Sequence, residues 1–262
     1  HHLKANIKHI KGRSLRALFA YLVANMQYVD EDTSIKFSEM FLDFLSEKSV
    51  YIRENSLRAI IRLGNADYVI KALLKLSLEK IYHNEKLVSD ALLMFTGDVE
   101  ELNNKLLNKL NKFDKDIAIA VIDYWSHTSW HTCDETITKY LSLDDTPIDV
   151  ICAIVRKLGK NEDMTNRKTI IKVVKKFLDL ENCEPAIVGV TELGDYINDT
   201  EIHELLLHSL KSKNWYVRIN SAVALVKNGV TEETLKYIEK CEDPYACDAF
   251  EYALKMSGEE VA

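Results

Sequence analysis

Glycine and proline are scarce in this chain, which contains 8 Gly and 3 Pro among its 262 residues. A β-sandwich or β-barrel needs a turn about every 8 to 12 residues, and its turns depend largely on these two residue types. Their scarcity therefore excludes a many-stranded β fold and predicts an all-α protein. Because 47% of the residues are hydrophobic, the chain has enough apolar side chains to bury a sizeable core.

Cysteine is also sparse, and its spacing fits neither a disulfide framework nor a zinc site. The number of cysteines is odd, and no two form the C-x-x-C pair typical of zinc ligands. The five are Cys133, Cys152, Cys183, Cys241 and Cys247. We interpret them as small core residues, and the missing framework favours a reducing, cytoplasmic compartment.

Two further absences narrow the range of partners. The most apolar segment, residues 17–26, is much shorter than the roughly 18 to 20 residues of a membrane-spanning helix. Basic residues are outnumbered, since 34 Lys and Arg face 41 Asp and Glu and give a net charge of −7, whereas nucleic-acid phosphates select basic surfaces. We therefore expect a soluble segment without a membrane span and without nucleic-acid binding.

Sequence signatures of catalysis and cofactor binding are missing as well. The chain contains no P-loop, dinucleotide-binding glycine motif, nucleophile elbow or EF-hand pattern. We therefore predict a non-enzymatic protein that uses no cofactor.

Two segments of the chain repeat one another in the same register. Residues 51–60 read YIRENSLRAI and residues 216–225 read YVRINSAVAL, and both are followed by a closing glycine. These glycines, Gly64 and Gly229, lie 165 residues apart (229 − 64). That offset corresponds to about five units of 33 residues, a period typical of helical-repeat proteins.

Shared residues inside the two copies identify further repeats. Arg53 and Ala59 of the first copy match Arg218 and Ala224 of the second. A small residue between aliphatic ones, as at Ala59, lets two helices pack closely. We predict further copies at small residues with similar neighbours, namely Ala17, Ala91, Ala120, Ala153, Gly189 and Ala253.

Each repeat is predicted to hold two helices. Residues 67–76 and 231–238 have apolar residues at helical spacing, so we interpret them as partner helices of the two clearest copies. Glycines are predicted to cap second helices at Gly64, Gly159 and Gly194. Prolines are predicted to begin helices at Pro147 and Pro244.

A resemblance to HEAT repeats, of the bacterial kind related to phycobilin-lyase repeats, is carried by KSVYIRENSLRAIIRLGNADYVIKAL (48–73) and KNWYVRINSAVALVKNGVTEETLKYI (213–238). In that family the arginine, here Arg53 or Arg218, pairs with an acidic residue or caps the neighbouring turn. The resemblance implies one α-solenoid of about seven to eight helical pairs over residues 1–262, with the second helices on its concave side. It also implies a scaffold or adaptor that binds another protein.

Residue composition and the resemblance imply a bacterial protein, and the start of the chain implies a further segment upstream. The chain begins with His1-His2 and no Met, which we interpret as the remnant of a purification tag, so an upstream segment is expected. Lys greatly outnumbers Arg, and Asn and Ile are frequent, which indicates a low-GC bacterial genome. Some bacterial HEAT-like domains accompany membrane glycosyltransferases that make exopolysaccharide. An accessory role at such a membrane-associated complex, tethered at the inner face, is therefore an expectation.

The most unusual composition lies at residues 124–134, which read YWSHTSWHTCD and hold two of the three Trp. Tyr124, Trp125 and Trp130 form the predicted partner-binding group, because large aromatic residues dominate binding energy at protein interfaces. We place the segment between a second helix and the next repeat. Packing between repeats is the alternative role, and a site for a sugar or another small ligand, with or without enzymatic activity, is a further one.

Two histidines in the same segment are weak candidates for a metal site. If the segment is helical, His127 and His131 share one face, and Cys133 or Asp134 adds a third zinc ligand. Thr128, however, stands where a zincin has its Glu, and there is no paired cysteine. We therefore predict no metal site here.

Arg58, Arg62 and Arg156 are the remaining candidate partner-binding residues. They fall at related places on second helices, where a row of arginines would bind an acidic or phosphorylated peptide. The alternative is a solvated helix face of mixed charge, which acidic residues at related positions, such as Asp90 and Glu192, favour.

Overall fold

A computed structural model of the chain describes residues 12–26, 29–79, 85–128, 130–143, 145–227 and 229–258. Within these ranges the predicted all-α class is confirmed, with 15 helices, 74% helical content and no strand. None of these helices combines the length and the apolar content that crossing a bilayer demands. The chain divides into two compact units, His1–Thr128 and Ser129–Ala262, here called unit 1 and unit 2.

Unit 1 consists of two layers of helices. Its described helices are α1 (Arg13–Ala24), α2 (Glu31–Phe44), α3 (Val50–Arg62), α4 (Ala66–Leu78), α5 (Glu85–Leu92), α6 (Val99–Lys109) and α7 (Lys115–Ser126), with a 3-10 turn at Leu110–Lys112. The odd-numbered helices form one row, in which α1 packs on α3, α3 on α5 and α5 on α7. The even-numbered helices form the second row, and α2 and α4 both pack on α3.

Unit 2 has the same kind of arrangement. Its described helices are α8 (Asp134–Tyr140), α9 (Ile148–Gly159), α10 (Met164–Phe177), α11 (Glu184–Leu193), α12 (Thr200–Ser209), α13 (Trp215–Val226), α14 (Glu232–Glu239) and α15 (Pro244–Ser257), with a 3-10 turn at Gly194–Tyr196. The odd-numbered helices again pack in order, from α9 to α15. On this row, α10 packs against α11 and α12 against α13.

Side-chain caps fix where the even-numbered helices begin. An Asp, Asn or Thr side chain just before the helix accepts hydrogen bonds from backbone N–H groups that have no partner inside the helix. Six of the seven described even-numbered helices start in this way, at Asp30, Asn65, Asp98, Asp163, Asp199 and Thr231. The exception is α8, which follows Cys133.

All eight small residues that mark the repeats in the sequence are buried, and each lies on a different odd-numbered helix. They run from Ala17 on α1 to Ala253 on α15. Packing is close at Gly189, where a Cβ atom would overlap the side chain of Val174 on α10. The spacing of small residues therefore locates the odd-numbered helices of each unit.

The two arginines of the clearest copies form the same local structure. The Nη1 of Arg53 donates to the carbonyl oxygen of Glu47 at 2.8 Å, and that of Arg218 donates to the carbonyl oxygen of Ser212 at 2.8 Å. Each carbonyl lies six residues upstream of its arginine (53 − 47 and 218 − 212). Both arginines thus cap the turn before their helix, one of the two roles that the resemblance implies.

The closing glycines of those copies have a left-handed backbone. The φ angle is +77° at Gly64 and +89° at Gly229, a conformation that strains residues with a side chain. Their surroundings differ, because a Cβ on Gly64 would lie 2.8 Å from Thr96 Oγ1, whereas a Cβ on Gly229 would meet nothing within 4 Å. Only Gly64 therefore combines a conformational need with a steric one.

Gly159 and Gly194 end their helices as predicted, but without the left-handed backbone of a glycine cap. Gly159 is the last residue of α9 and Gly194 has a φ of −58°. A Cβ on Gly159 would lie 2.5 Å from Glu192 Oε2, and one on Gly194 would lie 2.9 Å from Ala224 Cβ. The reason for glycine at these two places is therefore close helix packing.

The two predicted helix-starting prolines differ by one position. Pro244 is the first residue of α15, as predicted, and follows the cap Asp243. Pro147 stands one place earlier, just before α9, with an extended ψ of 142°. The backbone N–H of a residue at a helix start has no carbonyl partner inside the helix. Proline, which lacks this N–H, is therefore tolerated at both places.

Replacing the two closing glycines is expected to have unequal effects. Gly229→Ala adds left-handed strain alone, about 1 to 2 kcal/mol. Gly64→Ala adds the same strain and a clash with Thr96, which costs about 1 to 3 kcal/mol more. Urea unfolding followed by circular dichroism measures both free energies. Equal losses for the two variants would contradict the packing described at Gly64.

Glu192 is expected to destabilise the folded chain at neutral pH. Burial raises the pKa of its carboxyl above the ordinary 4.5, although Lys160 at 3.7 Å opposes the shift. The folded state then holds this proton more tightly than the unfolded chain, so stability falls as the pH rises through 4.5 and above.

Glu192→Gln should therefore raise the thermal midpoint at pH 7, and the gain should vanish below about pH 4, where the wild-type carboxyl is protonated in both states. Glu201→Gln is the control, because Glu201 forms an exposed ion pair with Lys175 at 3.0 Å and such pairs contribute little. A lower midpoint for Glu192→Gln at pH 7 would show that the ion pair outweighs desolvation.

Candidate functional site

The aromatic residues predicted to bind a partner in the 124–134 segment lie mainly inside the protein. Tyr124 and Trp125 end α7 and are buried in unit 1. The indole Nε1 of Trp125 donates to Asn103 Oδ1 at 3.1 Å, and burial raises the pKa of Tyr124. Trp130, on the unit 2 side, is half-buried. Tyr124 and Trp125 are therefore core residues, and the structure offers neither ring at the surface.

The helical condition for the candidate zinc site is not met. Helix α7 ends at Ser126, so His127 and His131 do not share a helix face, and they belong to different units. The Nδ1 of His127 instead lies 2.8 Å from the carbonyl oxygen of Asp123. Among the residues that the structure describes, no three His, Cys, Asp or Glu side chains are placed to hold a metal ion.

The three candidate arginines are divided between the units. Arg58 is half-buried on α3, and Arg62, the last residue of that helix, points its Nη1 at the Met94 carbonyl oxygen 3.4 Å away. Arg156 is exposed on α9 of unit 2, near the carboxyl of Glu192. Each unit thus presents part of the predicted row, next to acidic or carbonyl oxygen atoms.

A buried polar cluster lies at the start of unit 2. The side chain of Lys157, 0% exposed, places Nζ 3.3 Å from Oδ1 of Asp134, the first residue of α8. The other carboxylate oxygen of Asp134 accepts from the amides of Asn161 and Asn166, each at 2.9 Å. Every charge in the pair thus has a partner, which is the condition under which a buried ion pair is tolerated.

His131 and Cys133 complete this cluster but are poorly suited to catalysis. The Nζ of Lys157 lies 3.3 Å from Nδ1 of His131. An ammonium only donates, so this ring nitrogen accepts. Cys133 is fully buried, and burial raises the pKa of its thiol to about 12. A neutral, inaccessible thiol is a weak nucleophile. The cluster is therefore suited to stabilising the fold of unit 2.

A group of exposed aromatic rings lies elsewhere in unit 2. Trp215 and Tyr216, at the start of α13, are 42% and 65% exposed, and Tyr245, at the start of α15, is 61% exposed. The guanidinium of Arg218 lies 5.9 Å from the ring centre of Trp215 and 5.2 Å from that of Tyr245. We call these three rings and Arg218 the aromatic patch. Both distances are within the usual cation–π range.

Local hydrogen bonds hold the aromatic patch in place. The cap Asn214 accepts from the backbone N–H of Tyr216 at 2.8 Å, and the cap Asp243 accepts from that of Tyr245 at 2.9 Å. Arg218 is itself tied to the Ser212 carbonyl oxygen. Exposed rings on fixed backbone lose little conformational freedom when they bind.

A cleft of about 270 Å³ adjoins Trp215. Its lining consists of Leu178, Asp179, Leu180, Glu181, Lys213 and Asn214. Ser212 Oγ donates to the Leu178 carbonyl oxygen at 3.0 Å and so ties the two walls together. Two leucines and three charged side chains in one lining resemble the composition of a protein-binding surface.

Unit 1 has only part of this arrangement. Tyr51, the counterpart of Tyr216, is 60% exposed, but Val50 stands where unit 2 has Trp215. Of the two described copies, the one in unit 2 therefore presents the larger aromatic surface.

Sequence reasoning did not identify Trp215 and Tyr245 as site residues. A signal was nevertheless present, because a polar helix-starting residue followed two places later by Tyr occurs at Ser49-Val50-Tyr51, Asn214-Trp215-Tyr216 and Asp243-Pro244-Tyr245. The second residue after a cap lies in the first helical turn. In these three places its side chain is open to solvent, since each Tyr is at least 60% exposed.

Neither a protein-family model nor a curated protein matches the chain. The resemblance to HEAT repeats is thus carried by the quoted residues alone.

Removing the buried ammonium is expected to be costly. Lys157→Met leaves the carboxylate of Asp134 without its cation and should lower the free energy of unfolding by about 3 to 5 kcal/mol. Lys175→Met is the control, since the exposed Lys175–Glu201 pair should contribute less than about 1 kcal/mol.

The double variant Lys157→Met with Asp134→Asn should recover part of that loss, because no unpaired charge remains. Urea unfolding of all four chains measures the differences. A loss for Lys157→Met no larger than that for Lys175→Met would show that the buried pair contributes nothing.

Proposed function

We propose that this protein is a non-enzymatic helical-repeat scaffold that binds another protein through the aromatic patch of unit 2. The observation that carries the proposal is the group of three exposed rings, two of which lie beside the guanidinium of Arg218. Trp, Tyr and Arg are the residues that most often dominate the binding energy of protein interfaces. Their fixed position at helix starts reduces the entropy lost on binding.

Helix packing within each unit supports a scaffold role. The proposal includes a HEAT-like α-solenoid of seven to eight pairs, because rows of odd-numbered helices with even-numbered partners recur in both units. A single helical pair cannot bury its apolar face alone, so such pairs stack and expose extended surfaces. An extended surface suits a protein partner better than a small molecule.

The charge around the aromatic patch also favours a protein over a nucleic acid. The cleft beside Trp215 carries Asp179 and Glu181 against a single cation, Lys213. Phosphate groups would meet two carboxylates there, which is unfavourable. A protein segment with an apolar side chain and an N–H or cationic group would satisfy both the cleft and its rim.

Photo-crosslinking in cells of the source organism tests the proposal. A photoreactive phenylalanine analogue is placed at position 216 in one chain and at position 51 in another, because Tyr51 is the matched, equally exposed tyrosine of unit 1. We expect a discrete crosslinked protein from position 216 and a weaker or no product from position 51. Equal products from the two positions would argue against the aromatic patch as the binding surface.

Affinity of the purified partner then measures the contribution of each ring. Trp215→Ala, Tyr216→Ala and Tyr245→Ala are each expected to weaken binding about 30-fold or more, the hot-spot threshold of about 2 kcal/mol. Tyr51→Ala should change the affinity less than about threefold. Unchanged binding by all three patch variants, with circular dichroism showing native helix content, would refute the proposal.

A further inference from the structure

Two cysteines face each other across the turn between α14 and α15. Cys241 follows α14, and Cys247 lies in the first turns of α15. The Sγ of Cys247 lies 3.7 Å from the carbonyl oxygen of Cys241, and the Sγ of Cys241 lies 3.9 Å from that of Asp243. Both sulfur atoms therefore lie against the same short turn.

These two cysteines differ from the other three in exposure. Cys133, Cys152 and Cys183 are buried, whereas Cys241 and Cys247 are partly exposed. Burial raises the pKa of Cys133 to about 12 and that of Cys152 to about 11. The buried thiols are therefore largely protonated and unreactive at neutral pH, which leaves the pair at the turn as the accessible thiols.

We propose that Cys241 and Cys247 form a reversible disulfide, so that the turn is a redox modification site. The oxidant is a small-molecule disulfide of the glutathione class. The sequence interpretation of all five cysteines as core residues holds for the three buried ones, and the pair at the turn has this separate role.

The reaction proceeds by two thiol–disulfide exchanges. The thiolate of Cys241 attacks one sulfur of oxidised glutathione, a mixed disulfide forms, and the first glutathione leaves as a thiolate. Cys247 then loses its proton to solvent and attacks the Cys241 sulfur, and the second glutathione leaves. The two protein thiols lose two electrons, which reduce one glutathione disulfide to two glutathione thiols, and the leaving thiolates take up the two protons.

Cys241 is written as the first nucleophile because the Sγ of Cys247 lies against the carbonyl oxygen of Cys241 at 3.7 Å. Burial, followed by the adjacent Cys241 thiol with which it hydrogen bonds, raises the pKa of Cys247 and so lowers its thiolate fraction. Because Cys241 and Cys247 lie close together in one chain, the second step is intramolecular. This favours the disulfide between them over a second glutathione adduct. The ring spans residues 241–247.

The disulfide would constrain the turn that carries Tyr245. Asp243 caps α15 inside the ring, and Tyr245 follows two residues later. A disulfide between residues 241 and 247 restricts the backbone that carries the aromatic side chain of Tyr245. An effect on partner binding rests on the proposed function, whereas the disulfide itself does not.

Thiol counting on the full chain tests the modification. Reduced protein is equilibrated under native conditions with excess oxidised glutathione, quenched with acid, unfolded, alkylated and mapped by mass spectrometry. We expect alkylated cysteines to fall from five to three, with residues 241 and 247 joined and no glutathione attached. A thiol reductant should restore all five.

Single variants and an unfolded sample serve as controls. Cys241→Ser and Cys247→Ser should each yield at most one glutathione adduct, at the cysteine that remains of the pair. The same treatment in urea should modify the buried cysteines as well, which verifies the oxidant. Five alkylated cysteines in the native wild type, or glutathione on both partners without a bond between them, would overturn the proposal.

Amide hydrogen exchange gives a readout that needs no binding partner. In the oxidised wild type, exchange at residues 243–246 should slow about tenfold, because local opening of the turn is restricted. Cys241→Ser in the same oxidant should exchange at the reduced wild-type rate. If the disulfide forms while aromatic patch variants leave binding unchanged, the modification site stands and the proposed function fails.

Discussion

Close approach of the odd-numbered helices is the constraint on which the rest of the structure depends. Dispersion between packed atoms falls steeply with distance, so a row of helices gains most where small side chains let neighbours meet. Gly194 against Ala224 shows how little room remains, since one extra carbon would lie 2.9 Å from its neighbour. Packing of the odd-numbered helices in each unit sets the positions of the other elements. These are the even-numbered helices, the arginine-capped turns and the exposed helix starts.

The two clearest copies present different surfaces, and one contribution is the residue that precedes the exposed tyrosine. Behind Tyr51 stands Val50, and behind Tyr216 stands Trp215. Both arginines that follow cap a turn in the same way, so the backbone is shared while the exposed apolar area is not. A repeat architecture keeps its packing residues constant and varies the residues at helix starts, where a change costs little stability.

Sequence alone located the row of helices, since the small residues from Ala17 to Ala253 recur at helical-repeat spacing and are buried. It could not tell which tryptophan is buried. Trp125 is buried and donates its N–H to Asn103, 22 residues away, whereas Trp215 is 42% exposed and has Arg218 beside its ring. Whether a given side chain is buried depends on contacts between residues distant in sequence, and local periodicity does not reveal these contacts. The division into two units after Thr128 falls inside residues 124–134, the segment of unusual composition, which the sequence predicts to lie between two repeats of one domain.

Lys157 illustrates a wider consequence of those distant contacts. In the sequence it is one lysine of a charged helix end, yet its amine is buried inside unit 2 against Asp134, whose other carboxylate oxygen accepts from two asparagines. Reagents that acylate amines reach exposed lysines at once, whereas this one becomes reactive only when unit 2 opens. The acylation rate of this single amine therefore reports how often unit 2 opens locally.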